Sequence, residues 1–337
     1  MSFRRVAGGA ANLNNAHKRT KPQDGAGPNQ ETAMNASTAT ARHADQDTEA
    51  DARRASPLPI RKLAVHLENG FGRHWHSGKA FHTQFFNALS MSFPVGEQFF
   101  IDSVRNAMPL LPQGPEHAAL REELHEQMRG FVGQEATHRH IHGLYNAQLE
   151  KQGLVNRWQH WARDRIALLQ KKAPHPLHAL AATCAYEHFT ALLADGTLRH
   201  GRWLEGAEPE MQLLWRWHAA EETEHRSVAF ALYQAAGGDY RWRVRWFLLV
   251  CLNFARDSMR QTVLNLHHDG TLWRPSTWLQ ALDLFWGRDG LVWRTLPALL
   301  RYLRRDFHPD HETQSPGAAE LAQDWLAAHA GRFRVVR

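Results

Sequence analysis

Two short stretches carry the residues that could do chemistry. "GQEATHRHIH" (133–142) contains Glu135-x-x-His138, and "AAEETEHRS" (219–227) contains Glu222-x-x-His225. On an α-helix, residues three apart project about 60° from one another and rise about 4.5 Å, so a carboxylate and an imidazole so placed can meet one metal ion together. Each stretch is preceded at a similar interval by a lone glutamate in apolar company: Glu97 in "FPVGEQFF", 38 residues before Glu135, and Glu187 in "CAYEHFTA", 35 residues before Glu222. The chain therefore reads E…ExxH…E…ExxH. Four helices would bring four carboxylates and two imidazoles to one pocket, the donor set of di-iron and di-manganese carboxylate bundles. Four carboxylates balance two divalent cations, which removes the several kcal/mol that an unpaired buried charge costs.

Glu221 also lies four residues before His225, so it is an alternative to Glu222 as ligand; the parallel with the first half favours Glu222. His142 and Asn146 continue the face of Glu135 and His138, and His218 stands one turn before Glu222. These residues suit a supporting layer that orients ligands or steers protons, or a plain hydrogen-bonded contact between helices. Cys184, one turn before Glu187, reads as a core cysteine. His140 and His188 fall off the ligand face. A Gly-rich phosphate loop, a G-x-S-x-G elbow and an H-E-x-x-H motif are all missing, so nucleophile-type hydrolases have no support.

The elements that must position these residues are helical. From Pro57 onward, amphipathic stretches alternate with breakers, and strand signals are nearly absent. Pro94 is expected to open one helix, as a first-turn proline does. A long helix is expected over 116–151, distorted at Gly130 and Gly133, and another over 156–171. Two more are expected from Pro176 to near Gly196 and from Pro209 to Gly237-Gly238. After residue 240 the helices become rich in Trp and Arg. The expected fold is all-α: a ferritin-like four-helix bundle with additional C-terminal helices. Three regions are expected: a disordered tail over 1–56, poor in large apolar residues, a di-metal helical domain over 57–312, and a short terminal helix and tail over 313–337.

Composition narrows the class further. The chain has 337 residues, 43% of them hydrophobic, enough for a sizeable core. The formal charge is +6, but the arginines are scattered among tryptophans and acids, which reads as a solvated basic protein with no nucleic-acid partner. Two cysteines far apart, no apolar run long enough to span a bilayer and no secretory leader point to a cytoplasmic location.

The stretches "FFNALSMSFPVGEQFFIDSVR", "FVGQEATHRHIHGLYN", "CAYEHFTALL", "WHAAEETEHRSVAFALY" and "RDFHPDH" resemble a bacterial family, the predicted metal-dependent hydrolases. The resemblance spans roughly 58–312 and implies a ferritin-like helical fold with a metal site at Glu97, Glu135, His138, Glu187, Glu222 and His225. The ligand set itself favours O₂ activation by two divalent ions, iron first and manganese or zinc next, with no thiolate present to favour zinc. The substrate would be a small molecule, apolar or acyl in character; the sequence names no redox partner. The alternative is hydrolysis by a metal-activated water, and a further one is metal binding without catalysis. The Trp/Arg-rich C-terminal helices suit a helical cap with snorkelling arginines, or peripheral contact with a membrane.

Overall fold

The computed structural model describes residues 58–310 and 317–336; the tail expected over 1–56 lies outside the described residues. The described chain is all-α apart from one small sheet. Its elements are β1 (Ile60–Leu63), α1 (Ala80–Ala107), α2 (Ala118–Lys151), α3 (Trp158–Lys172), α4 (Pro176–Arg199), α5 (Pro209–His225), α6 (Val228–Ala235), α7 (Tyr240–His268), α8 (Pro275–Trp286), α9 (Leu291–Arg301), α10 (Ala318–Ala328) and β2 (Phe333–Val336). Prolines open α4, α5 and α8 at their first turns, where a missing N–H costs nothing. Asp239 caps α7 by accepting the Trp242 N–H at 2.9 Å.

Helices α1, α2, α4 and α5 carry the two Glu-x-x-His pairs and the two lone glutamates, and they pack on one another. Along each of them the ligand residues sit between two apolar clusters. One cluster is built around Phe81, Phe86, Tyr145 and Trp217, the other around Phe100, Phe131, Leu180 and Tyr233. On α1, Glu97 falls between Met91 of the first and Phe100 of the second; on α2, Glu135 and His138 fall between Phe131 and Ile141. A polar layer thus crosses the middle of the bundle with hydrocarbon above and below it. Helices α7, α8 and α9 cover its flank, and α10 packs on α5.

Three details differ from the sequence expectation. Pro94 does not begin a helix but lies inside α1. An internal proline leaves the carbonyl four residues earlier without its helical partner. Here that carbonyl, Ser90 O, accepts from the Asn146 side chain at 3.0 Å, which satisfies the group and lets the helix continue. Gly130 and Gly133 do not interrupt α2. A Cβ at Gly130 would stand 2.4 Å from Leu58 Cβ, and one at Gly133 would stand 2.1 Å from Ile60 Cδ1. The glycines clear room for the segment that leads into β1. Finally, the stretch from Pro209 to the Gly pair is two helices, interrupted at Arg226 and Ser227, directly after His225.

The sheet joins distant parts of the chain. β1 and β2 pair antiparallel, with Ile60 opposite Val336, Arg61 opposite Val335, Lys62 opposite Arg334 and Leu63 opposite Phe333. No helix among the described residues is long and apolar enough to cross a membrane.

Candidate metal centre

Glu97 from α1, Glu135 and His138 from α2, Glu187 from α4, and Glu222 and His225 from α5 converge in the polar layer. All six are buried, none more than 3% exposed. Oxygen and nitrogen atoms of Glu97, Glu135 and His138 lie within 4.8 Å of one another, as do those of Glu135, Glu222 and His225. Glu135 belongs to both groups. Glu187 joins through His225, whose Nε2 lies 3.6 Å from Glu187 Oε2, 3.4 Å from Glu135 Oε1 and 3.4 Å from Glu222 Oε2.

Among the described residues, nineteen buried side-chain nitrogen and oxygen atoms have no hydrogen-bond partner, and nine of them belong to these six residues. They are both carboxylate oxygens of Glu97, Glu135 and Glu187, one oxygen of Glu222, Nδ1 of His138 and Nε2 of His225. A buried, unpartnered polar atom costs about 1–3 kcal/mol, more when charged, so nine in one pocket would weigh heavily against folding unless something binds them. The donor set, carboxylates and imidazoles without thiolate, fits divalent metal ions.

The electrostatics agree. Burial pushes Glu97, Glu135 and Glu187 well above the usual carboxylate range, and neighbouring carboxylates push further. Burial acts on Glu222 in the same sense, but the neighbouring imidazoles of His225, His138 and His218 hold it well below that range. Desolvation would lower His138, yet the Glu221 and Glu222 carboxylates beside it raise it to about 10. In the absence of cations, burial therefore favours the neutral form of Glu97, Glu135 and Glu187.

A second layer fixes the two imidazoles. His138 Nε2 meets Glu221 Oε2 at 3.0 Å, leaving Nδ1 facing the pocket. His225 Nδ1 donates to Gln134 Oε1 at 3.0 Å, leaving Nε2 facing it. The residue immediately before each ligand glutamate thus orients the histidine of the other helix. Arg61 on β1 ties this layer together: its Nη1 donates to Glu221 Oε1 at 3.1 Å and to Glu224 Oε2 at 2.7 Å, and Nη2 to Glu224 Oε1 at 2.9 Å. Gln134 Nε2 in turn donates to Glu224 Oε2 at 2.8 Å and to Pro59 O at 3.0 Å. Both Glu221 oxygens are engaged, whereas Glu222 retains an unpartnered oxygen beside His225. The geometry therefore puts Glu222 in the pocket and Glu221 behind it.

Sequence reasoning missed Arg61, Gln134 and Glu224 altogether. A signal for Gln134 existed: it stands four residues before His138, as Glu221 stands four before His225. Arg61 gave none, because its role depends on β1 reaching across α2.

His142 and His218 lie next to the pocket in a file of hydrogen bonds. Ser90 Oγ lies 2.9 Å from both Asn146 Oδ1 and His142 Nδ1, His142 Nε2 lies 2.8 Å from His218 Nδ1, and His218 Nε2 lies 3.0 Å from Glu222 Oε1. Burial holds both rings neutral, His142 well below the usual histidine range and His218 at about 4. Their atoms could also join a metal-holding group, with Glu97 for the pair and with His138 and Glu222 for His218. The remaining candidates sit apart. Cys184 is a buried free thiol of the core, His140 is exposed, and His188 is buried with Nε2 3.3 Å from Ala298 O.

The family model for predicted metal-dependent hydrolases matches residues 59–313, three quarters of the chain, and the chain belongs to that family. No curated protein and no solved structure gives a significant match.

Proposed function

We propose that this member of the family of predicted metal-dependent hydrolases holds two divalent metal ions in the pocket and uses them to hydrolyse a small-molecule substrate. The observation that supports the reading is the coincidence of the nine unpartnered buried atoms with the six residues of the repeated motif. Family membership favours hydrolysis over oxygen chemistry. Glu97, Glu135 and His138 would hold one ion, and Glu187, Glu222 and His225 the other. The bound ions would supply charge for a developing oxyanion and a water that ionises near neutral pH.

The chain's own residues do the rest. Glu221 and Gln134 keep each imidazole in one tautomer, with its free nitrogen aimed inward. The apolar clusters on either side exclude bulk water and strengthen every charge interaction between them. His142 and His218 orient Glu222: with the Ser90 hydroxyl donating to His142 Nδ1, His142 donates from Nε2 to His218 Nδ1, and His218 donates from Nε2 to Glu222 Oε1.

A second reading, oxygen activation by two iron ions, is favoured by the closure of the pocket. With every candidate ligand at 3% exposure or less, water and O₂ reach it more readily than a large ester. One experiment separates the readings. Protein purified without added metal is analysed for metal content, then assayed against ester, amide and phosphoester panels, with spectra before and after dithionite and air. Turnover that needs metal and is lost in Glu135→Ala supports hydrolysis. Two irons with an absorption band that bleaches and returns, and no turnover of any panel, shifts the assignment to oxygen chemistry. Retention of metal in the Glu135→Ala, Glu222→Ala double variant overturns the site itself.

A further inference from the structure

We infer that the outward face of α8 and α9 docks this protein on an anionic lipid bilayer. On α8, Leu279, Leu282 and Trp286 point outward at intervals of three and four residues, with Leu279 66% exposed. On α9, Trp293, Leu296 and Leu300 repeat the spacing, with Trp293 60% exposed. The two stripes join, because Trp293 Nε1 donates to the Trp286 carbonyl at 3.1 Å. Six large apolar side chains on one connected face exceed what scattered surface residues account for.

Charge identifies the occupant. Residues 240–307 hold eleven arginines and five aspartates, with no lysine or glutamate. Their surplus of six equals the formal charge of the whole chain, so the rest of the sequence is balanced. Of these arginines, Arg274, Arg288, Arg294 and Arg301 are exposed on or beside α8 and α9, against Asp283 and Asp289, so a second copy would set a net positive face against its like. Anionic headgroups complement the face, with arginines reaching phosphates while Trp and Leu enter the acyl boundary. Tryptophan is suited to that depth because its ring is apolar and its N–H polar. An apolar cavity of about 330 Å³ lies behind the same face, lined by Phe85 of α1, Phe189 and Leu193 of α4, Phe254 of α7, Trp286 of α8 and Val292 of α9. Docking would turn this cavity toward the bilayer. Because neither the face nor the cavity contains a candidate metal ligand, this inference stands apart from the catalytic one.

The test is flotation of the full-length protein with vesicles of phosphatidylcholine alone or mixed with phosphatidylglycerol, with and without bound metal. The comparison variant is Leu282→Asp, Leu296→Asp, which changes exposed positions only; its helicity and thermal transition should match the parent. The expected result is binding to the mixed vesicles, weakened at least about tenfold by high salt, by omission of phosphatidylglycerol, or by the double variant. Failure to float with mixed vesicles overturns the inference. So does a double variant that binds as the parent does, or a dimer in light scattering that this variant dissociates.

Discussion

Glu221 of α5 stands 3.0 Å from Nε2 of His138 on α2, while the corresponding contact to His225 comes from neutral Gln134. The two halves of the motif are equivalent in spacing but unequal in charge. A carboxylate acceptor makes His138 the more basic imidazole, so two ions held as proposed would differ in affinity. Glu221→Gln should weaken one of two binding events by about 10–100-fold and leave the other within a few-fold. Metal titration by calorimetry would resolve this as two unequal events becoming more nearly equal or merging into one; no change would show that Glu221 does not act on the pocket.

Glu187 is buried, and burial together with the Glu222 carboxylate pushes its carboxyl well above the usual range, toward the neutral form. Glutamine mimics that neutral form. Glu187→Gln should leave metal-free protein within about 1 kcal/mol of the parent, because no charge is lost, yet abolish most of the metal-induced rise in melting temperature. Thermal melts with and without metal, on parent and variant, check both halves of the expectation.

The same three raised carboxyl groups make metal binding release protons. Affinity should therefore rise with pH, as protons leave Glu97, Glu135 and Glu187 more easily. Binding enthalpies in buffers of different ionisation enthalpy would count the protons released. A count near zero would mean that the pocket is ionised before metal arrives.

Gly130 faces Leu58 so closely that a Cβ would lie 2.4 Å from Leu58 Cβ and 2.9 Å from its carbonyl oxygen. Gly130→Ala gains helix propensity of about 1 kcal/mol, but it must displace the segment that carries Pro59 and Arg61. Overpacking costs about 1–3 kcal/mol, so the net effect should be destabilising, accompanied by weaker metal binding as Arg61 shifts. Chemical denaturation together with metal titration checks both. A variant more stable than the parent would show the contact to be soft.

His76 and His188 lie outside the pocket, and burial lowers each to about 4. In the unfolded chain they titrate near 6.5, so the unfolded state takes up their protons first as pH falls. Their contribution to stability should therefore decline from about pH 6.5 down to about pH 4 and level off below, where both states carry these protons. Each histidine contributes roughly 3 kcal/mol to that decline. Melting temperatures of metal-free protein across this range, compared with His188→Gln, would show a shallower decline in the variant.

Much of the centre was legible in the sequence because helical periodicity carries it. Glu135 and His138, or Glu222 and His225, share a face wherever the helix goes, and similar intervals in the two halves pair the helices. What stayed hidden depends on contacts between distant segments. Pro94 reads as a helix start because its lost bond is visible in the sequence, while the amide of Asn146 that replaces it lies 52 residues on. Gly130 and Gly133 read as weak points because the strand that needs their missing side chains comes from elsewhere in the chain. Arg61 could not be placed at all, since nothing local distinguishes it from the other arginines.

The pairing of β1 with β2 has a consequence for how the protein matures. Arg61 braces Glu221, and through it His138, from a strand whose sheet partner among the described residues is Phe333–Val336. The four helices that carry the candidate ligands are all synthesised by residue 225, yet the strand that holds the arginine gains its neighbour more than a hundred residues later. A nascent chain can thus assemble the bundle early, but it acquires the full outer brace of its pocket only once residue 336 has left the ribosome. Metal loading would then be late and long-range, set by the slow closure of contacts far apart in sequence rather than by the fast local formation of helices.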